Sequence, residues 1–266
     1  MIGLEDVTFS YPAGGTILEG INLMVVKGEY LGVMGDNGSG KSTLARLMTG
    51  LLLPEHGTIR VNEMSTHDKS RLLEIRRSAG MVFQNPDAQA IGETVEEDLV
   101  FGLENLGLPV PEIDTRIEKY LGLFGIRDLR YRNIRTLSGG QKQLVNLAAV
   151  MVMEPECIIL DEPVSMVDAR HRKIILEHIA RLNHEGTTIV HITHDPEELT
   201  RCHRLIVLSR SGIIKQGTTH EVFNQLLDEE IMDVPVSFAI SRALGLSPVL
   251  TTEDLLEELC RLRSGT

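Results

Sequence analysis

Gly35-Asp36-Asn37-Gly38-Ser39-Gly40-Lys41-Ser42 fits the pattern G-x-x-x-x-G-K-[ST]. An apolar run precedes it and a helical composition follows, which is the context this pattern needs. The chemistry is phosphate binding. Glycines let successive backbone N–H groups curl around phosphate oxygens, and a helix N-terminus adds positive potential. Lys41 is expected to reach the β- and γ-phosphates and Ser42 to hold Mg²⁺, with Gly35, Asn37, Gly38, Ser39, Gly40 and Thr43 completing the cradle. The bland alternative is a glycine-rich turn with a surface lysine, which leaves the four fixed residues of the eight-residue pattern unexplained.

Two further stretches carry chemistry. Cys157-Ile158-Ile159-Leu160-Asp161-Glu162 is an apolar run ending in two carboxylates. Neighbouring side chains on a strand point to opposite faces, so the two acids need not share a job. Asp161 is placed to support Mg²⁺ through water or Ser42, and Glu162 to polarise an attacking water. Taken alone, such acids often just meet solvent; downstream of a phosphate loop the functional reading dominates. Leu137-Ser138-Gly139-Gly140-Gln141 is the second stretch. Ser138 and Gln141 make a capping box for the following helix, and the glycines bare its first N–H groups. Alone it is a capped helix; between two nucleotide motifs it reads as a second anion-binding terminus.

These motifs need elements to hold them. Ile2–Phe9, Ile17–Val26, Tyr30–Met34 and Thr58–Val61 read as strands, with a turn at Tyr11-Pro12-Ala13-Gly14-Gly15 and a helix over Ser42–Met48 ending at Gly50. Residues 66–80 are charged with helical period, and Met81-Val82-Phe83 is a short strand ending at Gln84. The stretch 90–155 reads as mostly helical. Cys157–Leu160 and Thr187–Ile192 read as strands around a helix at 169–183, followed by a hairpin of Arg204–Leu208 and Gly212–Ile214. Buried strands alternating with helices imply a parallel α/β sheet with covered faces. Residues 218–266 form a tail with two amphipathic stretches, punctuated by Pro235 and Pro248. Thr251 with Asp254 caps the last of them.

With the 137–141 motif between the other two, residues 1–220 resemble the ATP-binding cassette (ABC) ATPases. The resemblance implies a P-loop NTPase (RecA-like) α/β core with a mixed sheet over 1–89 and 156–217, an inserted helical signature subdomain at 90–155 and a short helical C-terminal extension at 218–266. It implies ATP and Mg²⁺ as cofactors. It also implies a head-to-tail dimer, in which Ser138, Gly139, Gly140 and Gln141 clamp the γ-phosphate held by the partner's loop. In that frame Tyr11 stacks on adenine and Gln84 senses Mg²⁺ and water. His194 contacts the γ-phosphate, and Asp168 lies in the loop that crosses the dimer interface. Val164 departs from the Thr many relatives carry there, which removes one hydroxyl. His191-x-x-His194 could be misread as a metal pair, but no third ligand stands nearby in sequence.

Gln84-Asn85-Pro86-Asp87-Ala88-Gln89, with Thr94-Val95-Glu96-Glu97-Asp98 after it, is similar to the ATPase subunits of energy-coupling factor (ECF) transporters, including cobalt and nickel importers. That implies a groove for helices of a transmembrane coupling protein, a separate substrate-binding membrane protein, and a peripheral place on the cytoplasmic face of the cell membrane. Glu93, Glu96, Glu97 and Asp98 are expected on the docking face; a solvated acidic face is the alternative. The tail resembles the extension of the same branch, and could pack on a partner's tail or on its own domain. Homodimer and heterodimer both remain open.

Composition narrows the classes. Across 266 residues, 26 Lys+Arg against 38 Asp+Glu give a net charge of −12, which argues against nucleic acid as a partner. No segment approaches 18 uninterrupted apolar residues, and the first residues carry no charged-then-apolar leader, which argues against secretion. Cys157, Cys202 and Cys260 are scattered, as in a reducing compartment. A soluble ABC switch acting on another macromolecule is the competing class; such proteins tend to carry two cassettes, coiled-coil insertions or basic surfaces.

Overall fold

The first two strands alternate buried and exposed side chains, and the alternation decides where they go. The computed structural model describes residues 1–12 and 14–264. Ala13, in the turn expected at 11–15, and Gly265 and Thr266 of the tail lie outside the described residues. In chain order β1 (Ile2–Ser10), β2 (Thr16–Val25) and β3 (Tyr30–Met34) lead to α1 (Lys41–Met48). Then come β4 (His56–Val61), β5 (Met64–Ser65), α2 (Leu72–Ser78) and β6 (Ala79–Val82). The helical block holds α3 (Val95–Asn105), α4 (Val110–Leu123) and α5 (Gly139–Met151). After it follow β7 (Cys157–Asp161), α6 (Ala169–His184), β8 (Thr188–Ile192), β9 (Arg204–Ser209) and β10 (Gly212–Thr218). The extension is α7 (Thr219–Asp228), α8 (Val236–Ala243) and α9 (Thr252–Ser264).

Among the described residues the expected parallel sheet is accompanied by a separate, antiparallel one. Ile2, Leu4, Val7 and Phe9 of β1 are buried, as are Leu18, Ile21, Leu23 and Val25 of β2. One-faced strands suit antiparallel pairing, and these form the sheet β2-β1-β4-β5. β3, β7 and β8 are buried along their whole length. They lie inside the second sheet, ordered β10-β9-β3-β8-β7-β6, in which β10 alone is antiparallel to its neighbour. The mixed sheet is therefore as expected, and the separate antiparallel sheet is the correction. In this register Val33 and Asp161 both pair with Ile192, so the carboxyl ends of β3, β7 and β8 finish together. Loops leaving such ends are where α/β folds bind ligands.

The helix expected over 66–80 shrinks to α2. Asp68 accepts hydrogen bonds from the Ser70 backbone N–H (3.0 Å) and hydroxyl (2.6 Å), a local alternative to helix. Its far end is taken by β6, where a Cβ on Gly80 would sit 2.5 Å from Val150 Cγ1. The strand expected at 212–214 runs on to Thr218, and the described residues of the tail form three helices where two amphipathic stretches were expected. Thr218 and Glu221 close a capping box that starts α7 directly off β10. Phe223 of α7 and Phe238 of α8 are fully buried with ring centroids 5.9 Å apart, so the extension shares the core of the chain. Phe223→Ala is expected to lower stability by about 3–5 kcal/mol, read as a lower urea midpoint at unchanged slope.

Candidate nucleotide site

The loop from β3 to α1 is shaped by glycines that no other residue could replace. Gly40 has φ +99, and a Cβ there would lie 2.7 Å from Leu18 Cδ2. A Cβ on Gly35 would lie 2.2 Å from the Leu208 carbonyl oxygen. Gly40 is also the N-cap of α1 and supplies no capping side chain, so the helix's first N–H groups stay open to a ligand. Lys41 Nζ donates to the carbonyls of Gly35 (2.6 Å) and Asp36 (3.0 Å). Burial lowers its pKa, an effect only partly offset by Glu162, Asp161 and Asp36.

A cavity of about 320 Å³ opens over this loop. Asn37, Gly38, Gly40, Lys41, Ser42 and Thr43 line it, together with Tyr11, Gln84 and Glu162. Tyr11 Oη lies 3.3 Å from Thr43 Oγ1, and its ring meets Phe9 edge-on at 5.0 Å. Ser39 is buried within the loop with its hydroxyl unpartnered. Gly35, Asn37 and His194 line a second cavity of about 550 Å³. Its other wall, Glu230-Ile231-Met232-Asp233 between α7 and α8, was not foreseen, because nothing in that stretch resembles a nucleotide motif.

Ser42 Oγ donates to Asp161 Oδ1 at 3.1 Å. Burial pushes the Asp161 carboxyl above its usual value, with the Ser42 bond pulling the other way. A buried carboxylate beside a hydroxyl at a phosphate loop suits Mg²⁺, which takes one or two protein ligands and completes its shell with phosphate oxygens and water. Among the described residues no group of three or more His, Cys, Asp or Glu could hold a metal by itself. Glu162 follows Asp161 with φ +52, the left-handed region. That turn carries its side chain away from the strand's alternation. Its carboxylate, 8% exposed, meets His194 Nδ1 at 2.8 and 3.0 Å. A strained backbone under a buried acid is a functional signal.

Ser138, Gly139, Gly140, Gln141 and Asp168 line neither cavity and gather elsewhere. Ser138 Oγ accepts from the Gln141 N–H (3.3 Å) and Gln141 Oε1 from the Ser138 N–H (3.0 Å), the expected capping box. A Cβ on Gly139 would lie 2.9 Å from the Met166 carbonyl, and one on Gly140 2.5 Å from His171 Cγ. The start of α5 thus packs on the 163–168 loop. Asp168 caps α6 by accepting from the N–H groups of Arg170 and His171, and its second oxygen meets His171 Nδ1 at 2.7 Å. The His171 backbone bond leads in holding this exposed carboxyl below its ordinary pKa.

Gln84, on the cavity wall, opens a run whose next residues reach the signature helix. Lys142 of α5 pairs with Asp87 at 2.6 Å, and Asn146 Nδ2 donates to the Pro86 carbonyl at 3.2 Å. Gln89 Oε1 accepts from the Phe83 N–H at 2.9 Å. The run 84–89 therefore ties the end of β6 to the signature helix; Lys142 was missed because a lysine in a helix carries no signal of its partner. His191 and His194 are not a metal pair. His191 is fully buried, between Tyr30 Oη (3.0 Å) and Glu198 Oε2 (3.1 Å), whereas His194 faces Glu162.

Of the four acids expected on a docking face, Glu93 and Glu97 are exposed, Glu96 is half-buried and Asp98 is buried. Asp98 is buried and accepts from the N–H groups of Ile91 (2.7 Å) and Gly92 (3.0 Å). Glu97 closes the capping box of α3 on Thr94. Glu96 pairs with Arg130, which also meets Asp114 and Glu118. Glu97 and Asp98 thus satisfy backbone N–H groups of the segment that leads into α3.

A family model described as ABC transporter matches residues 18–165. The chain belongs to the ABC transporter family. Over 226 residues it is 50% identical to an energy-coupling factor transporter ATP-binding protein EcfA of Methanosarcina acetivorans, covering 85% of this chain and 82% of that one. It is 40% identical to EcfA1 of Clostridioides difficile over 98% of this chain and 99% of that one. Among solved structures it resembles cbiO1 of Clostridium perfringens, described as part of the ABC transporter complex cbiONQ. The TM-score is 0.77 at 34% identity, covering 86% of this chain and 93% of that one. A dimeric cassette, MJ0796 with ADP and Pi, matches with TM-score 0.75 at 27% identity, over 82% of this chain and 99% of that one. As an ABC ATPase of the ECF type, the chain has the fold its phosphate loop and signature imply.

Proposed function

We propose that the chain is the ATP-hydrolysing subunit of an ECF importer for a vitamin or a transition-metal ion, held at the cytoplasmic face of the cell membrane. Two such subunits, identical or related, meet head to tail with ATP between them and drive a transmembrane coupling protein that works with a substrate-binding membrane protein. The observation that carries the dimer is the separation of the two residue groups. The cavity of Lys41 and Glu162 lacks the signature, while Ser138, Gly139 and Asp168 are exposed outside it. A second copy turned head to tail can bring one group to the other.

In this reading backbone N–H groups of 38–43 and Lys41 bind the phosphates, and Tyr11 stacks on the base. Ser42, Asp161 and Gln84 would hold Mg²⁺, which when bound neutralises charge on the phosphate oxygens. Glu162 takes the proton of the attacking water. His194 orients Glu162 through the Nδ1 contact and presents its other ring nitrogen to the γ-phosphate. The partner's signature supplies N–H groups where charge develops.

The docking surface centres on a mainly apolar groove, with Arg76, Arg77 and Asp98 also on its walls. Leu51, Leu73, Ile91, Phe101 and Met153 line a groove of about 290 Å³ between α2 and α3, with Leu73 57% and Ile91 67% exposed. Such a groove fits the apolar face of a coupling-protein helix. Phe101→Asp is expected to abolish co-purification with the membrane components from detergent-solubilised membranes, while the isolated variant still binds ATP. Undiminished co-purification would remove the groove from this role.

A further inference from the structure

His194 depends on its loop for its position. Its ring is 60% exposed, and the stretch Thr193-His194-Asp195 leaves the end of β8. Asp195 is the fixed point of that stretch. One of its oxygens accepts from the Glu197 N–H at 2.9 Å and caps the 3-10 turn Pro196–Leu199. The other is in direct ion-pair contact with Arg172 of α6. The same guanidinium lies 3.1 Å from Glu198 Oε1. Glu198, itself 4% exposed at its side chain, passes the contact to His191 Nε2 at 3.1 Å, and His191 Nδ1 meets Tyr30 Oη at 3.0 Å. Arg172 thereby anchors the His194 loop to α6, the helix that Asp168 caps, while Glu198 of the same loop reaches β8 and β3 through His191 and Tyr30. It lines neither nucleotide-site cavity.

We propose that Arg172 is a positioning residue for ATP hydrolysis, holding His194 in place through Asp195. Both contacts are made by Nη2, whose two hydrogens are fixed in the guanidinium plane, a geometry that a rotating ammonium does not hold. The inference rests on the reading of His194 as the γ-phosphate contact.

Steady-state ATP hydrolysis by the full chain tests it. Arg172→Ala is expected to lower kcat about tenfold, with the KM for ATP changed less than about twofold, the pattern of a group that acts in the transition state. Arg172→Lys should recover part of the loss. Asp195→Asn keeps a capping oxygen but loses the charge, and should cost as much as Arg172→Ala. The double variant should be no worse than Arg172→Ala, because both changes break the Arg172–Asp195 contact and only Arg172→Ala also breaks the one to Glu198. Thermal melting and binding of a fluorescent ATP analogue report folding; if Arg172→Ala fails to fold, Arg172→Lys and Asp195→Asn carry the test. Losses that multiply, a kcat within twofold of the parent in the folded variants, or a fall confined to ATP affinity would overturn the proposal. His194→Ala separates the two levels. Full turnover in that variant refutes the reading of His194, whereas its loss beside an active Arg172→Ala refutes the role of Arg172 alone.

Discussion

Glu162→Gln is expected to reduce ATP hydrolysis by about 10²–10⁴-fold, the range for removal of a general base, without weakening ATP binding. The amide matches the carboxylate in shape and still offers an oxygen within reach of His194 Nδ1, now 2.8 Å away. It cannot accept the proton of water at neutral pH. Phosphate binding rests on the 35–43 loop and Lys41, none of which is altered. Two measurements check the outcome: phosphate release under saturating ATP, and retention of radiolabelled ATP by a species of twice the chain's mass on gel filtration. Turnover near that of the parent would exclude Glu162 as the base.

Mixing two inactive variants is expected to restore activity. Lys41→Ala disables phosphate binding in its own chain but leaves the signature intact; Ser138→Arg blocks the signature but leaves the phosphate loop intact. If each site draws its loop from one chain and its signature from the other, a mixed dimer has one complete site and one doubly damaged site. Random pairing gives half mixed dimers, so equimolar mixing should recover about a quarter of parental activity if the two sites work independently. Ser138 is exposed, so the arginine has room, and the lost cap on α5 costs about 1 kcal/mol. Each variant alone sets the baseline. A mixture no more active than that baseline would mean each chain completes its own site, or that the two sites must fire together.

The phosphate loop was legible because its chemistry leaves few choices of residue: Gly40 and Gly35 sit where a Cβ would collide with Leu18 and Leu208. The same holds for Ser138 and Gln141, whose capping box is a contact within four residues. The buried runs of β3, β7 and β8 also announced themselves by composition. What sequence could not show is which partner a strand or a charge finds. β1 and β2 differ from β3 only in alternating, and short runs blur that difference, so the antiparallel sheet was folded into the parallel one. Glu96, Glu97 and Asp98 read as a charged face, yet backbone N–H groups and Arg130, 34 residues from Glu96, claim them. The contacts of Asp87 with Lys142 and of Asp195 with Arg172 span distances along the chain over which periodicity carries no information.

Glu162 adopts φ +52, where a side chain with a Cβ is strained by about 1–2 kcal/mol. Glycine would adopt the same backbone without that strain. A chain selected for stability alone would therefore place glycine after Asp161. The glutamate marks a trade-off between durability and turnover, and the neighbouring fold absorbs it through the Glu162 N–H bond to the Ile192 carbonyl at 2.9 Å and the Ser165 bonds back to its own carbonyl. Relatives that had lost hydrolysis while keeping nucleotide binding would be free to relax at this one position first.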